Sequence, residues 1–251
     1  MNLTYTIVFS LIVILVYNYI HKSRIANAGY FKTLFFNNHL DQTYGKLNMP
    51  DSEIKSELRF LLQTFVTFCQ STGAKPVLMY GGLLGWKHNH KCFLPWDDDL
   101  DVIILEDDAQ RLITLDGLQT DRWLFRVNPR YNNRIVNDPF NKIDARMISK
   151  RNGVFIDITF FWKTANHTLL AKDGNEYKVS DIRPLRPDTF KGFSVFVPNN
   201  VNEVLVQRYG PNALRPYEWH LQHFGTYSRI NFVNYLKNRL RHLLNYVNNK
   251  K

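Results

Sequence analysis

The chain has 251 residues, 45% of them hydrophobic and 14% aromatic, which is enough to close one sizeable core and too much for a disordered chain. Its 32 lysines and arginines outnumber 22 aspartates and glutamates, a formal charge of +10 that suits an anionic partner or simply a solubilising surface. No aromatic-basic motif supports nucleic-acid binding, and two cysteines without paired spacing offer no zinc ligand set.

Leu3 to Ile20 is free of charge and rich in Ile, Leu and Val, and His21-Lys22-Ser23-Arg24 comes directly after it. As a helix it would span about 27 Å, close to the ~30 Å hydrocarbon core. Residues 1–24 are therefore expected to form a transmembrane signal-anchor with a basic flank. A cleaved signal is the rival, because Ala26-Asn27-Ala28 resembles a cleavage site. Lys22 and Arg24 would by themselves keep the globular part on the cytoplasmic side. Residues 25–50, with Asn37, Asn38, Asn48 and Pro50 among scattered aromatics, read as a stem or linker of weak structure.

Asp51-Ser52 supplies a helix start, and Ile54, Leu58, Leu61, Phe65 and Phe68 recur on one face up to Gly73. This helix is expected to cover a sheet. Val77 to Tyr80 reads as a short buried strand stopping at Gly81-Gly82, with a short helix from Leu83 to His88. Asp99 to Leu105 reads as a strand and Asp107 to about Leu118 as a helix. Trp123 to Val127 is a further strand. Lys142 to Ile148 and Gly153 to Trp162 form a hairpin closed by Asn152-Gly153. Asp173-Gly174-Asn175 separates Thr168–Ala171 from Glu176–Ser180, and Phe193 to Val197 reads as an edge strand. Val201 to Tyr209 is a helix ended by Gly210-Pro211. From Ser228 onward a basic helix carries Ile230, Val233, Leu236, Leu240 and Leu243 on one face; it packs on the domain or lies on a membrane surface.

The segment Pro95-Trp-Asp97-Asp98-Asp99-Leu-Asp101 puts four carboxylates into five residues of a basic chain. On a strand Asp97, Asp99 and Asp101 would share a face and repel one another unless a cation sat on them. Mg²⁺ or Mn²⁺ takes hard oxygen ligands and bridges one or two carboxylates to substrate phosphates; Asp99 and Asp101 provide that pair. Gly81 and Gly82 would leave the backbone bare for a phosphate to approach. Asp157, inside the apolar run Val154 to Trp162, either completes the metal site, acts as base, or answers a buried arginine such as Arg146. Asp97 and Asp98 fit a supporting position, capping the turn or orienting metal-bound water. Lys142 and Arg146, on one strand face, are candidates for compensating donor phosphate charge. His88 and His90 lie near enough to touch donor phosphates, yet loop histidines are usually only solvated.

Tyr80-Gly-Gly-Leu-Leu-Gly85, Phe93-Leu-Pro-Trp-Asp-Asp-Asp-Leu-Asp-Val102 and Phe155-Ile-Asp157-Ile together resemble the LicD/fukutin family, as do Pro184-Leu, Val197-Pro-Asn199 and Arg208-Tyr-Gly-Pro211. The resemblance covers roughly residues 52 to 219. It implies an α/β nucleotidyltransferase-like fold with a mixed sheet over residues 51–225, behind the anchor and trailed by the basic amphipathic helix of 226–251. It also implies a metal-dependent phosphotransferase that moves a phospho-linked group, such as phosphocholine, alditol phosphate or sugar phosphate. The donor would be nucleotide-diphosphate-linked and the acceptor a glycan on a glycoprotein or glycolipid. Such members commonly lie in the Golgi or ER with a luminal domain, which would make Asn166-His-Thr168 a glycosylation site; Cys69 and Cys92 could pair in an oxidising lumen, yet Cys69 falls in a helical apolar pattern, where a buried free thiol is the commoner outcome. The chain departs from bacterial relatives at Leu83, where they carry Thr, and at Lys87, His88 and His90, where they place an Arg. Two other readings share these features: an Asp-x-Asp Golgi glycosyltransferase, and a non-catalytic accessory subunit of a glycan-modifying complex.

Overall fold

The computed structural model describes residues 29–34, 37–95 and 97–215, together with 10, 12–14, 16 and 17 of the first segment. Two units are distinguished, residues 23–211 and a second made of 1–22 with 212–251. Of the second, the few positions described before residue 18 are helical. Most of the expected anchor and all of the basic helix of 226–251 lie outside the described residues. No helix among the described residues is long and apolar enough to cross a membrane.

The unit of residues 23–211 is built on a nine-stranded mixed sheet. Its first elements are a hairpin of β1 (Thr33–Leu34) and β2 (Asn37–Asp41), then helix α1 (Asp51–Thr72). The apolar face expected from the 3.6 period is buried: Leu58, Leu61, Leu62 and Phe65 are fully covered, at about 1.5–3 kcal/mol each. This face lies against the sheet, and Gly73, at φ 72°, ends the helix in the left-handed conformation that glycine adopts without a Cβ clash. Pro50 stands at the N-cap with no side-chain cap, and Asp51 and Glu53 sit in the first turn, where the helix dipole favours negative charge.

After α1 come β3 (Val77–Leu78), α2 (Tyr80–His88), β4 (Leu100–Leu105), α3 (Glu106–Ile113) and β5 (Trp123–Val127). The chain continues with β6 (Ala145–Ser149), β7 (Phe155–Lys163), β8 (Thr168–Leu170), β9 (Glu176–Lys178) and α4 (Val179–Ile182). It closes with β10 (Arg186–Phe190), β11 (Phe193–Val197) and α5 (Val201–Tyr209). The main strand order is β10-β11-β3-β4-β7-β6-β5, with β8 and β9 continuing from β7. The β4–β7 and β11–β3 pairs are parallel, and the other pairs are antiparallel. β4 and β7 are almost wholly buried, as expected of central strands that read as continuous apolar runs.

Several boundaries differ from the expectation. The stem is not structureless: Leu40 is 2% exposed and bridges Val154, while the Asp41 N–H donates to Gly153 O at 2.8 Å. Helix α2 begins at Tyr80, so Gly81 and Gly82 stand in its first turn. β4 begins at Leu100, which leaves Asp97, Asp98 and Asp99 on its irregular approach with only Asp101 on the strand. The acidic row therefore does not obey strand alternation. β6 begins at Ala145, and Lys142 is an exposed residue of the preceding loop, away from the strand face that carries Arg146. The edge position belongs to β10, which tolerates Pro187 there; β11 lies inside it. Cys69 and Cys92 are free thiols.

Candidate functional site

The site forms where β4 and β7 run side by side. Their parallel register sets Asp101 opposite Asp157, and the antiparallel β6–β7 register sets Arg146 opposite Asp157. Residues directly opposite on neighbouring strands share a face, so Asp101, Asp157 and Arg146 form one row across the sheet. Arg146 grips Asp157 bidentately, Nε to Oδ1 at 2.6 Å and Nη2 to Oδ2 at 3.1 Å. Its guanidinium lies over Phe155, 3.5 Å from the ring centroid. Of the alternatives for Asp157, pairing with Arg146 is observed. The third guanidinium nitrogen, Nη1, is buried and has no hydrogen-bond partner.

Asp97, Asp98 and Asp99 reach the site along the approach to β4. Lys55 of α1 fastens this approach by donating to Leu94 O at 3.1 Å and to Asp97 O. The turn holds the Asp97 carboxylate against Gly81, where a Cβ would collide with Oδ2. A Cβ on Gly82 would press on Leu100 Cδ1 at 3.0 Å and Asp101 O at 3.4 Å. Both glycines thus allow α2 to lie against the acidic segment, and their bare faces look toward protein atoms. The expected bare backbone for a phosphate is taken up in this way on the Cα side.

The electrostatics set the cluster apart. Burial drives Asp101 well above the ordinary carboxylate range, reinforced by Asp99, Asp157, Asp97 and Asp173. Asp97 is driven the same way by burial and by Asp99. Asp98 is raised by burial against the pull of His39 and Lys55. Asp99 goes the other way: burial opposes its charge, but His39, with a hydrogen bond from Asp97 and the charge of Arg146, holds it down at about 2. His39 Nδ1 lies 3.1 Å from Asp99 Oδ2. Burial works against its charged form, but Asp99, Asp98 and Asp97 outweigh it and raise the imidazole to about 9. Asp157 is raised by burial, with Arg146 pulling against it.

A second wall comes from segments that lie far apart in the sequence. The Tyr80 hydroxyl donates to Asp173 Oδ2 at 3.0 Å, and the Arg208 guanidinium lies over the Tyr80 ring at 5.3 Å and the Tyr209 ring at 5.6 Å. His39 lies in a polar stem and Asp173 in an ordinary Asp-Gly turn, so neither stands out locally. Of the expected residues, Asp97, Asp99, Asp101, Asp157, Arg146 and Gly81 come together. Lys142 does not, because the loop before β6 keeps it in solvent. His88 belongs to the last turn of α2 and His90 lies just beyond that helix, whereas Gly81 and the acidic cluster are at its first turn.

Among the described residues no three His, Cys, Asp or Glu side chains already converge on one point as metal ligands. Asp157, turned to Arg146, does not complete a preformed triad. The donor set nevertheless suits a hard divalent cation: Asp99 and Asp101 would offer it carboxylate oxygens, the Asp99 charge raises the cost of charging Asp101, and two carboxylates suffice where substrate oxygens complete the shell.

The sequence profile described as LicD/FKTN/FKRP, nucleotidyltransferase domain, matches residues 73–200, about half of the chain. Among curated proteins, the chain is similar to Mannosyltransferase regulator 4 of Saccharomyces cerevisiae, with 32% identity over 116 residues. That alignment covers 43% of this chain and 10% of the yeast protein, so the chain matches about a tenth of that relative's length. Every strand of the acidic site, from β3 through β7, falls within the profile match.

Proposed function

Since the chain belongs to the LicD/FKTN/FKRP nucleotidyltransferase-domain family, we propose that it is a glycan-modifying phosphotransferase that uses a nucleotide-diphosphate-linked donor. The observation that carries this reading is the pair of buried, under-neutralised carboxylates Asp97 and Asp101 on either side of the His39-paired Asp99, with Asp97 packed against Gly81 at the head of α2. Carboxylates that raise one another's charging cost on a central strand belong to sites that take a cation or a proton.

In this reading Asp99 and Asp101 hold one Mg²⁺ or Mn²⁺. Such an ion would supply charge neutralisation for the donor diphosphate. An acceptor hydroxyl attacks the phosphorus of the transferred group. A new P–O bond forms to the acceptor, the P–O bond to the nucleotide breaks, and nucleoside monophosphate leaves. Asp157, raised by burial and held in place by Arg146, takes the hydroxyl proton. The remaining Arg146 nitrogen Nη1 and the Arg208 guanidinium are placed to receive phosphate oxygens. Asp97 and Asp98 support the metal pair, and His39 orients Asp99. The charge-free segment of residues 3–20 is read as the anchor of a luminal Golgi or ER enzyme.

The test is to incubate the full chain with CDP- and GDP-linked donors, a glycan acceptor and Mn²⁺, and to identify the products. Nucleoside monophosphate together with a phosphodiester-linked product supports the reading. Nucleoside diphosphate with a bare sugar added would turn it into a glycosyltransferase. A second reading, a non-catalytic subunit of a glycan-modifying complex, is favoured by the name of the yeast relative, which is a regulator. It predicts no turnover with any donor and retention of complex assembly in an Asp101→Asn variant.

A further inference from the structure

Beyond the far end of α2 from Gly81 lies a cavity of about 340 Å³ whose lining includes Arg59, His90, Lys91, Thr189 and Lys191. Three separate segments build it: one face of α1, the loop after α2 and the tip of the β10–β11 hairpin. Backbone contacts tie them together, since the Lys191 N–H donates to Lys91 O at 2.8 Å and Arg59 Nη1 donates to Lys191 O at 3.3 Å. The cations are thus held near one another by the fold and do not merely happen to share a surface.

Their positions come at a conformational cost. His90 and Lys91 are consecutive non-glycine residues in the left-handed region, at φ 50° and 57°, where side chains other than Asn, Asp and His seldom go. The hairpin turns through Lys191 and Gly192 at φ 53° and 84°, a conformation whose usual first residue is Asn, Asp or Gly. Here a lysine fills it, beside the cavity. Among the described residues, one carboxylate answers the group, Asp188, which pairs with Lys91. Arg59 is steadied over the Phe193 ring at 5.0 Å, a contact that fixes the guanidinium and leaves its charge in place.

We propose that this cavity binds a small phosphate monoester, through Arg59, Lys191 and His90, at a site separate from the carboxylate cluster and needing no metal. Arg59, Lys191, His90 and Thr189, all in the lining, are residue types whose donors match the oxygens of a dianionic phosphate. The volume is that of a small-molecule pocket. The proposal does not depend on the transfer chemistry assigned to Asp99 and Asp101.

Calorimetric titration of the full chain in EDTA, with inorganic phosphate, glucose 6-phosphate and glucose, tests it. Both phosphates are expected to bind with an affinity that falls as salt rises, and glucose is expected not to bind. Arg59→Gln with Lys191→Asn, the asparagine being at home in a left-handed turn, should weaken phosphate binding about tenfold or more. Arg59→Lys should restore part of it, and Asp99→Asn with Asp101→Asn should leave it intact. Thermal melts and circular dichroism confirm that the variants fold. The proposal is overturned if neither phosphate binds, if binding survives loss of the cations, or if it is lost with the carboxylate variants. Binding confined to vesicles containing phosphatidylserine would also overturn it.

Discussion

Two groups of carboxylates lie inside the same sheet unit and are treated in opposite ways. Asp144 is fully buried, yet it receives the Phe160 N–H at 2.7 Å, Lys172 Nζ at 2.8 Å and Arg134 Nη1 at 3.0 Å. Lys172 in turn donates to Arg130 O and Asn141 Oδ1. Every charge in this knot has an answer, and its effect is to pin the long loop between β5 and β6 against β7. Asp101, less deeply covered, has no cation within ion-pair distance among the described residues, and its nearest charges are other aspartates. The difference teaches how to separate structure from function here. An acid answered by cations holds the fold together, whereas Asp101, lacking one, is where the proposed cation would be held.

The comparison can be broken first at its structural side. Asp144→Ala would leave Lys172 buried without a counter-charge and should cost about 3–5 kcal/mol, read as a lower urea midpoint. If stability were unchanged, the knot would not be the structural element described. The opposite side gives the next largest effect. Asp101→Asn should reduce donor-dependent release of nucleoside monophosphate by about 100-fold or more and leave the thermal midpoint unchanged or higher, since it removes one of several repelling charges. A fall in stability like that of Asp144→Ala would erase the distinction.

A third measurement sharpens it. Mn²⁺ at about 100 times its dissociation constant should stabilise the protein by about 2.7 kcal/mol, and this gain should vanish in Asp101→Asn and persist in variants of Lys172. Gly81→Ala would press a methyl group into the Asp97 carboxylate and should cost about 1–3 kcal/mol by overpacking, checked by chemical denaturation. The smallest effect lies at an exposed pair. Burial opposes the Asp188 charge, but hydrogen bonds from Lys91 and the Thr189 N–H, with the Lys91 charge, together outweigh it and hold its carboxyl below the ordinary value of 3.8. A depressed acid stabilises the fold above that value and loses the contribution as pH falls through its folded pKa. A carbon-detected NMR titration should show this shift, and Lys91→Ala should move it back upward.

Much of this arrangement is legible in the residues. The apolar period from Ile54 to Phe68 specifies α1, and the runs Val102–Leu105 and Phe155–Phe161 specify two adjacent buried strands because nothing but a central position accommodates them. The acidic string and Asp157 announce the site by their cost. What escapes is whatever depends on distant segments meeting. Tyr80 and Asp173 are 93 residues apart, and no local pattern couples them. Lys142 has the same parity as Arg146, but side chains in the loop between β5 and β6 bond to one another, as Asn128 does to Asn141, and this delays the strand until Ala145. His39 is a single polar residue in a polar stretch, and only the docking of β2 beside Val154 brings it to Asp99.

That docking also bears on the order of events during synthesis. Apart from its hairpin partner β1, β2 leaves the ribosome before the elements it rests on, and the backbone acceptor for Asp41, Gly153 O, is made only after β3, β4, β5 and β6. At about 5–20 residues per second, the nascent segment waits several seconds for its seat. His39, among the first residues of the site to be translated, is therefore among the last to arrive, and the acidic cluster gains its imidazole partner only when the hairpin turn at Asn152-Gly153 has closed.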